Sequence, residues 1–127
     1  MDKVLLVAAG GSIGSVVRYL ISDAMKSAWP GYAASGTLIV NVVGSLVIGL
    51  LLGTASEPRG LSESMRLLLV TGFLGGLTTF SSLAHETVRL SAREAGGSLT
   101  LGLSHLSANV ILGLAAVWLG AWLRRGV

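Results

Sequence analysis

The chain has 127 residues, 52% of them hydrophobic and 12% charged, with a net charge of +3 and a mean hydropathy of +0.78. A soluble domain carries roughly 25% charged residues, so this chain lacks the polar groups to solvate a small globule, and a lipid-facing surface is the alternative. The lack of cysteine excludes disulfides and thiolate metal sites, and the basic residues lie mostly between apolar runs, which reads as membrane-surface charge bias rather than nucleic-acid binding.

Four apolar segments are predicted to span a membrane as helices, at 4–28, 36–54, 64–90 and 99–123. Each meets the requirement of about 20 residues. Together they form one all-α transmembrane domain over residues 1–127, with no clear internal repeat. The first segment follows Met1-Asp2-Lys3, which resembles the start of a secretory signal. Its apolar pattern runs on past a signal core and three more spans follow, so it reads as a span. Arg18 lies inside it. An ionisable group at that depth costs about 2.5–3.5 kcal/mol and needs a reason. It reads either as an anchor, pairing with an acid or with helix-end carbonyls, or as a contact to a permeant anion; the anchor is preferred.

In the second span Thr37, Asn41 and Ser45 recur at i, i+4 and i+8, forming one polar stripe. In the fourth span His105 and Asn109 share a face, and Gly113 continues it. These stripes fit interhelical hydrogen bonding or a lined pathway. His105 reads as an interior group rather than a ligand. GxxxG spacing at Gly10/Gly14, Gly49/Gly53 and Gly72/Gly76 lets helix backbones approach closely.

The third span is the most informative. Its centre reads Thr71-Gly72-Phe73-Leu74-Gly75-Gly76-Leu77-Thr78-Thr79-Phe80-Ser81-Ser82-Leu83. Gly, Thr and Ser at this density make a poor continuous helix. A break at about 75–78 is predicted, and it is tolerated at membrane depth only where protein or a water-filled cavity covers the freed backbone groups.

The connections carry Trp29-Pro30-Gly31, Glu57-Pro58-Arg59-Gly60 and Arg93-Glu94-Ala95-Gly96-Gly97, with Pro and Gly marking helix ends. Trp29, Tyr32, Trp118 and Trp122 fall near predicted ends, where amphipathic rings favour the interface. With four spans both termini share one side. That side holds Lys3, Arg59, Arg66, Arg124 and Arg125, against Lys26, Arg89 and Arg93 on the other. The bias weakly favours cytoplasmic termini and also fits insertion in both orientations.

Two patterns are set aside. Ala9-Gly10-Gly11-Ser12-Ile13-Gly14 lacks the first glycine of a dinucleotide fingerprint, and no strand–helix alternation follows. Ser81 and His85 have no assignable oxyanion donor or orienting acid. The chain does not read as an enzyme.

Three motifs in order, Gly10-Gly11-Ser12-Ile13-Gly14 with Arg18-Tyr19, Gly36-Thr37-Leu38-Ile39-Val40-Asn41 with Gly44, and Gly72 through Ser81, resemble the Fluc (CrcB) fluoride channels over the whole chain. The resemblance implies a channel of the bacterial inner membrane that lets fluoride leave the cytoplasm passively. It implies an antiparallel dimer of subunits inserted in both orientations, either a homodimer or a pair with a related chain. Fluoride would follow Thr37, Asn41, Phe80, Ser81, Ser82 and Asn109, with Glu86 near one mouth. A structural sodium ion at the dimer interface would be held by the main-chain carbonyls of Gly75 and Thr78, while Arg18, Gly72 and Gly76 serve structure. The sequence departs from the family pattern at Leu83, where a second Phe is usual, and at Asn109, where Ser is common. The rival reading is a small dimeric proton-coupled exporter.

Overall fold

The computed structural model describes residues 2–32, 34–53 and 61–125, and among these the regular structure is entirely helical. The first span is α1 (Lys3–Ala28), capped by the Asp2 carboxylate, which accepts from Val4 N–H at 3.1 Å. At 26 residues it is about 39 Å long, enough to cross an apolar layer of about 30 Å with tilt to spare. A short 3-10 turn, Pro30–Tyr32, leads to α2 (Ser35–Leu52). The expected end of this span at Thr54, the connection at 57–60 with Arg59, and the Tyr32 side chain lie outside the described residues.

The third span is built in pieces. It is α-helical at Glu63–Met65 (α3), π-helical over Arg66–Leu74, and α-helical again at Gly75–Leu77 (α4). Thr78 and Thr79 are extended (φ −81°, ψ 154° and φ −151°, ψ 122°), and α5 then runs over Phe80–Ser91. The chain therefore does break, but at Thr78–Thr79, the far edge of the expected interval. Gly75, Gly76 and Leu77 are still helical. A further 3-10 turn, Arg93–Ala95, precedes α6 (Leu99–Arg124), which the Ser98 hydroxyl caps by accepting from Leu101 N–H at 3.1 Å. Four helical stretches are long and apolar enough to span a membrane: Lys3–Ala28, Ser35–Leu52, Glu63–Ser91 and Leu99–Arg124.

Glycine decides which helices touch. α1 packs along 66–77, with Gly10, Gly14, Gly72 and Gly76 at the contact. A Cβ on Gly72 would stand 2.9 Å from Val7 O and 3.0 Å from Gly10 Cα, and one on Gly76 would run into the Gly11 backbone. α2 packs along α6, where Gly49 lies against Val117 and Ala121, and Gly120 against Leu46 and Leu50. In lipid such close backbone approach replaces the hydrophobic effect as the source of association. The Gly49/Gly53 spacing does not act as one motif. Gly53 has φ +63° and ends α2, a conformation that disfavours any residue with a Cβ. α5 completes the bundle by packing on α6, and Val40, Leu74 and Leu77 form its buried apolar centre. Trp29, Trp118 and Trp122 are exposed near helix ends.

Candidate functional site

The break is held by the side chain of Asn41. Its Oδ1 accepts from Thr79 N–H at 2.9 Å, and its Nδ2 donates to Thr79 O at 3.2 Å. Both backbone groups of one extended residue are thus satisfied by one amide, as a break inside a membrane requires. The same Nδ2 donates to Asn109 Oδ1 at 3.0 Å. Asn109, 5% exposed, donates its own Nδ2 to His105 O at 3.0 Å. One amide network therefore ties α2, the break and α6 together.

Both helix ends at the break also gain side-chain partners. Thr79 Oγ1 accepts from Ser82 N–H at 3.2 Å and caps α5. It also lies 3.2 Å from both Ser81 Oγ and Ser82 Oγ, making a small hydroxyl cluster. On the other side, Leu74 O accepts from Thr78 N–H at 3.0 Å and from Thr78 Oγ1 at 2.9 Å. Arg18 reaches across from α1, its Nε donating to Gly76 O at 3.0 Å. Of the roles open to it, the arginine takes the helix-end carbonyl, where a cation also favours the negative end of the helix dipole.

These bonds set the character of the remaining carbonyls. In a continuous helix Gly75 O would accept from Thr79 N–H and Thr78 O from Ser82 N–H. Here Thr79 N–H goes to Asn41 and Ser82 N–H to the Thr79 hydroxyl. By the same rule Gly76 O and Leu77 O lose Phe80 N–H and Ser81 N–H, so the break withdraws the carbonyls of Gly75, Gly76, Leu77 and Thr78 from helix pairing, and of these Gly76 O takes Arg18. Gly44 makes room on the α2 side, where a Cβ would collide with the Thr78 methyl.

A groove of about 390 Å³ opens beside this centre, lined by Asn41 and Ser45 of α2, by Thr78, Thr79 and Phe80 at the break, and by Asn109 of α6. Gly75 and Leu83 also border it. Phe80 is 79% exposed, whereas Leu83 is 6% exposed. The structure thus gathers Asn41, Phe80, Asn109, Gly75 and Thr78 at one surface. Ser81 and Ser82 stand next to it in the hydroxyl cluster rather than on its wall. Gly72, Gly76 and Arg18 belong to the α1 contact.

Thr37 lies elsewhere, buried at 3% exposure, with its hydroxyl donating to Glu86 Oε1 at 2.9 Å. Glu86 Oε2 lies 3.3 Å from His105 Nε2. Glu86, expected near one mouth, is therefore engaged inside the bundle. Sequence reasoning missed the clamp on Thr79. The available signal was a Thr directly before an amphipathic Phe-Ser-Ser-Leu start, an N-cap pattern.

A family model described as "CrcB-like protein, Camphor Resistance (CrcB)" matches residues 5–121. The chain belongs to the CrcB family. It is 44% identical to a fluoride-specific ion channel FluC of Agrobacterium fabrum, over 100% of this chain and 99% of that protein. It is 45% identical to the protein of the same name from Solibacter usitatus, over 97% of this chain and 98% of the relative. The Pseudomonas putida relative, also named a fluoride-specific ion channel, is 42% identical over 94% of each. Within this CrcB chain the break, its asparagine clamp and the adjoining groove all fall inside the matched residues.

Proposed function

We propose that this multi-pass membrane protein is a fluoride-selective channel that releases fluoride passively from the cytoplasm across a bacterial inner membrane. The observation that carries the reading is the break at Thr78–Thr79, clamped by Asn41 beside an open groove, in a chain with full-length similarity to fluoride-specific channels. Fluoride is small and strongly hydrated, so a route must replace lost water with donors. Hydroxyls, amides and the positive edge of an aromatic ring can do this without a fixed full charge that would trap the ion. Ser81, Ser82, the second amide hydrogen of Asn109 and the exposed Phe80 are such groups. The reading also places Asn41 and Thr37 along the route, where their own donors are spent on Thr79, Asn109 and Glu86 and they act by holding it in shape.

The groove is open along the surface of one copy, and four short spans are too few to enclose a pore. An antiparallel dimer of subunits inserted in both orientations is the economical way to close it. A homodimer is the simplest form, and a related second chain could complement Leu83. The Gly75 and Thr78 carbonyls fit a sodium ion chemically, since hard cations take oxygen ligands and the break withdraws these two oxygens from helix pairing. Such an ion would offset the converging carbonyl dipoles and favour nearby anions. The proton-coupled exporter is not favoured, because the relatives are named channels.

Proteoliposomes loaded with fluoride test the reading. A fluoride electrode should record rapid release with no pH gradient, and chloride-loaded liposomes should retain their anion. Release of both anions alike, or of neither, would sink it.

A further inference from the structure

The polar seam continues beyond the Asn41–Asn109 contact. Thr37 lies one turn before Asn41 on α2, and His105 one turn before Asn109 on α6, so the two helices carry a second polar level. Glu86 of α5 stands at that level. Its Oε1 accepts from Thr37 at 2.9 Å, and its Oε2 lies 3.3 Å from His105 Nε2. The two side chains are 19% and 9% exposed. Oε2 and Nε2 are both buried, and despite their proximity they lack the alignment of a hydrogen bond. A carboxylate and an imidazole are thus held side by side, one helical turn from the amide network, without another partner for either facing atom.

Other charged groups are distant or solvated. α2 carries no titratable residue between Ser35 and Leu52. On α5, His85 and Arg89 flank Glu86 and are exposed, as are Arg93 and Glu94 in the following turn. The other titratable residue of α6, Arg124, is at its opposite end. Asp23 and Lys26 of α1, near the Ser22–Gly36 contact, are exposed. The charge at this level is therefore set by the pair itself. One proton on the pair leaves it neutral overall, whichever partner holds it. Loss of that proton leaves a full negative charge.

We propose that the proton held by the Glu86–His105 pair controls fluoride conduction: with it the seam is neutral and the anion passes, and without it the Glu86 carboxylate repels the anion and conduction falls. The proposal rests on the channel reading above. Conduction should therefore fall as pH rises and the pair gives up its proton. Thr37 holds the carboxylate facing His105, keeping the charge on the seam.

Fluoride current across planar bilayers at fixed voltage, with equal pH on both sides from about 5.5 to 8.5, tests this. Neutral HF carries no current, so its leak does not enter. A unit charge within several ångströms of the route predicts a fall of about tenfold or more in the parent as pH rises. Glu86→Gln should hold a high current at every pH. His105→Gln leaves Glu86 to hold the proton alone and should lower the current at neutral and alkaline pH, and the double variant should return to the high, flat profile. A flat parent profile overturns the proposal while leaving the channel reading standing. A fall that survives in Glu86→Gln also overturns it, because the charge would then lie elsewhere. Absence of fluoride current at any pH overturns the channel reading and this proposal together. Glu86→Gln alone suffices to decide if His105→Gln does not fold.

Discussion

Asn41→Asp exchanges one amide nitrogen for an oxygen and breaks two of the three contacts described above. The new carboxylate can still accept from Thr79 N–H, now made at 2.9 Å. It has no donor for Thr79 O or Asn109 Oδ1, which Asn41 Nδ2 meets at 3.2 and 3.0 Å. Two acceptors would face a negative oxygen, and leaving a buried acceptor unsatisfied costs about 1–3 kcal/mol each. The charge also acts on the permeant ion. At about 4–8 Å and an effective dielectric near 20, repulsion of fluoride amounts to about 2–4 kcal/mol. At about 1.4 kcal/mol per factor of ten, this lowers flux by roughly thirty- to a thousandfold. The assay is fluoride-electrode efflux from proteoliposomes at neutral pH, using variant protein that elutes from size exclusion as the parent does. Asn41→Ala removes the clamp without adding charge and separates the two effects, since it should lose less flux than the aspartate. Efflux by Asn41→Asp within a few-fold of the parent would refute both the placement of Asn41 on the route and the charge argument.

Two further outcomes follow from packing. Gly76→Ala places a methyl group into the Gly11 backbone. Overpacking of this kind costs about 1–3 kcal/mol, so tryptophan fluorescence should report a lower unfolding temperature in detergent, and an unchanged temperature would mean that α1 does not sit this close. Leu83→Phe should keep or raise fluoride efflux, because Leu83 borders a groove of about 390 Å³ that can take the larger ring. A clear loss of efflux would mean that this stretch of groove is used differently.

The spans were legible because length and apolarity alone define a membrane helix, and the structure has four helical stretches long and apolar enough to cross one. The broken third span was legible as a cluster of Gly, Thr and Ser. Its position was less so, because Gly75–Leu77 continue the helix and the chain departs only where Asn41 takes both backbone groups of Thr79. That is a contact between residues 38 positions apart, and composition does not encode it. The π-helical stretch at Arg66–Leu74 left no mark in the periodicity. GxxxG spacing identified Gly10, Gly14, Gly72 and Gly76 as contact residues, but it gave the same weight to Gly53, which ends a helix, and it passed over Gly120. The Thr37–Glu86–His105 cluster was hidden for a related reason. A sequence shows which residues share a face of one helix, and not which faces of three helices meet.

The central claim is passive, selective fluoride conduction, and the zero-current potential tests it most directly. With a tenfold fluoride gradient, equal pH and equal chloride on the two sides of a bilayer, a fluoride-selective channel gives a potential of about 59 mV in the sense set by fluoride. The account predicts that value, unmoved when a chloride or a proton gradient is then imposed. A potential that follows either of those gradients, or a membrane that passes no fluoride current, would contradict it.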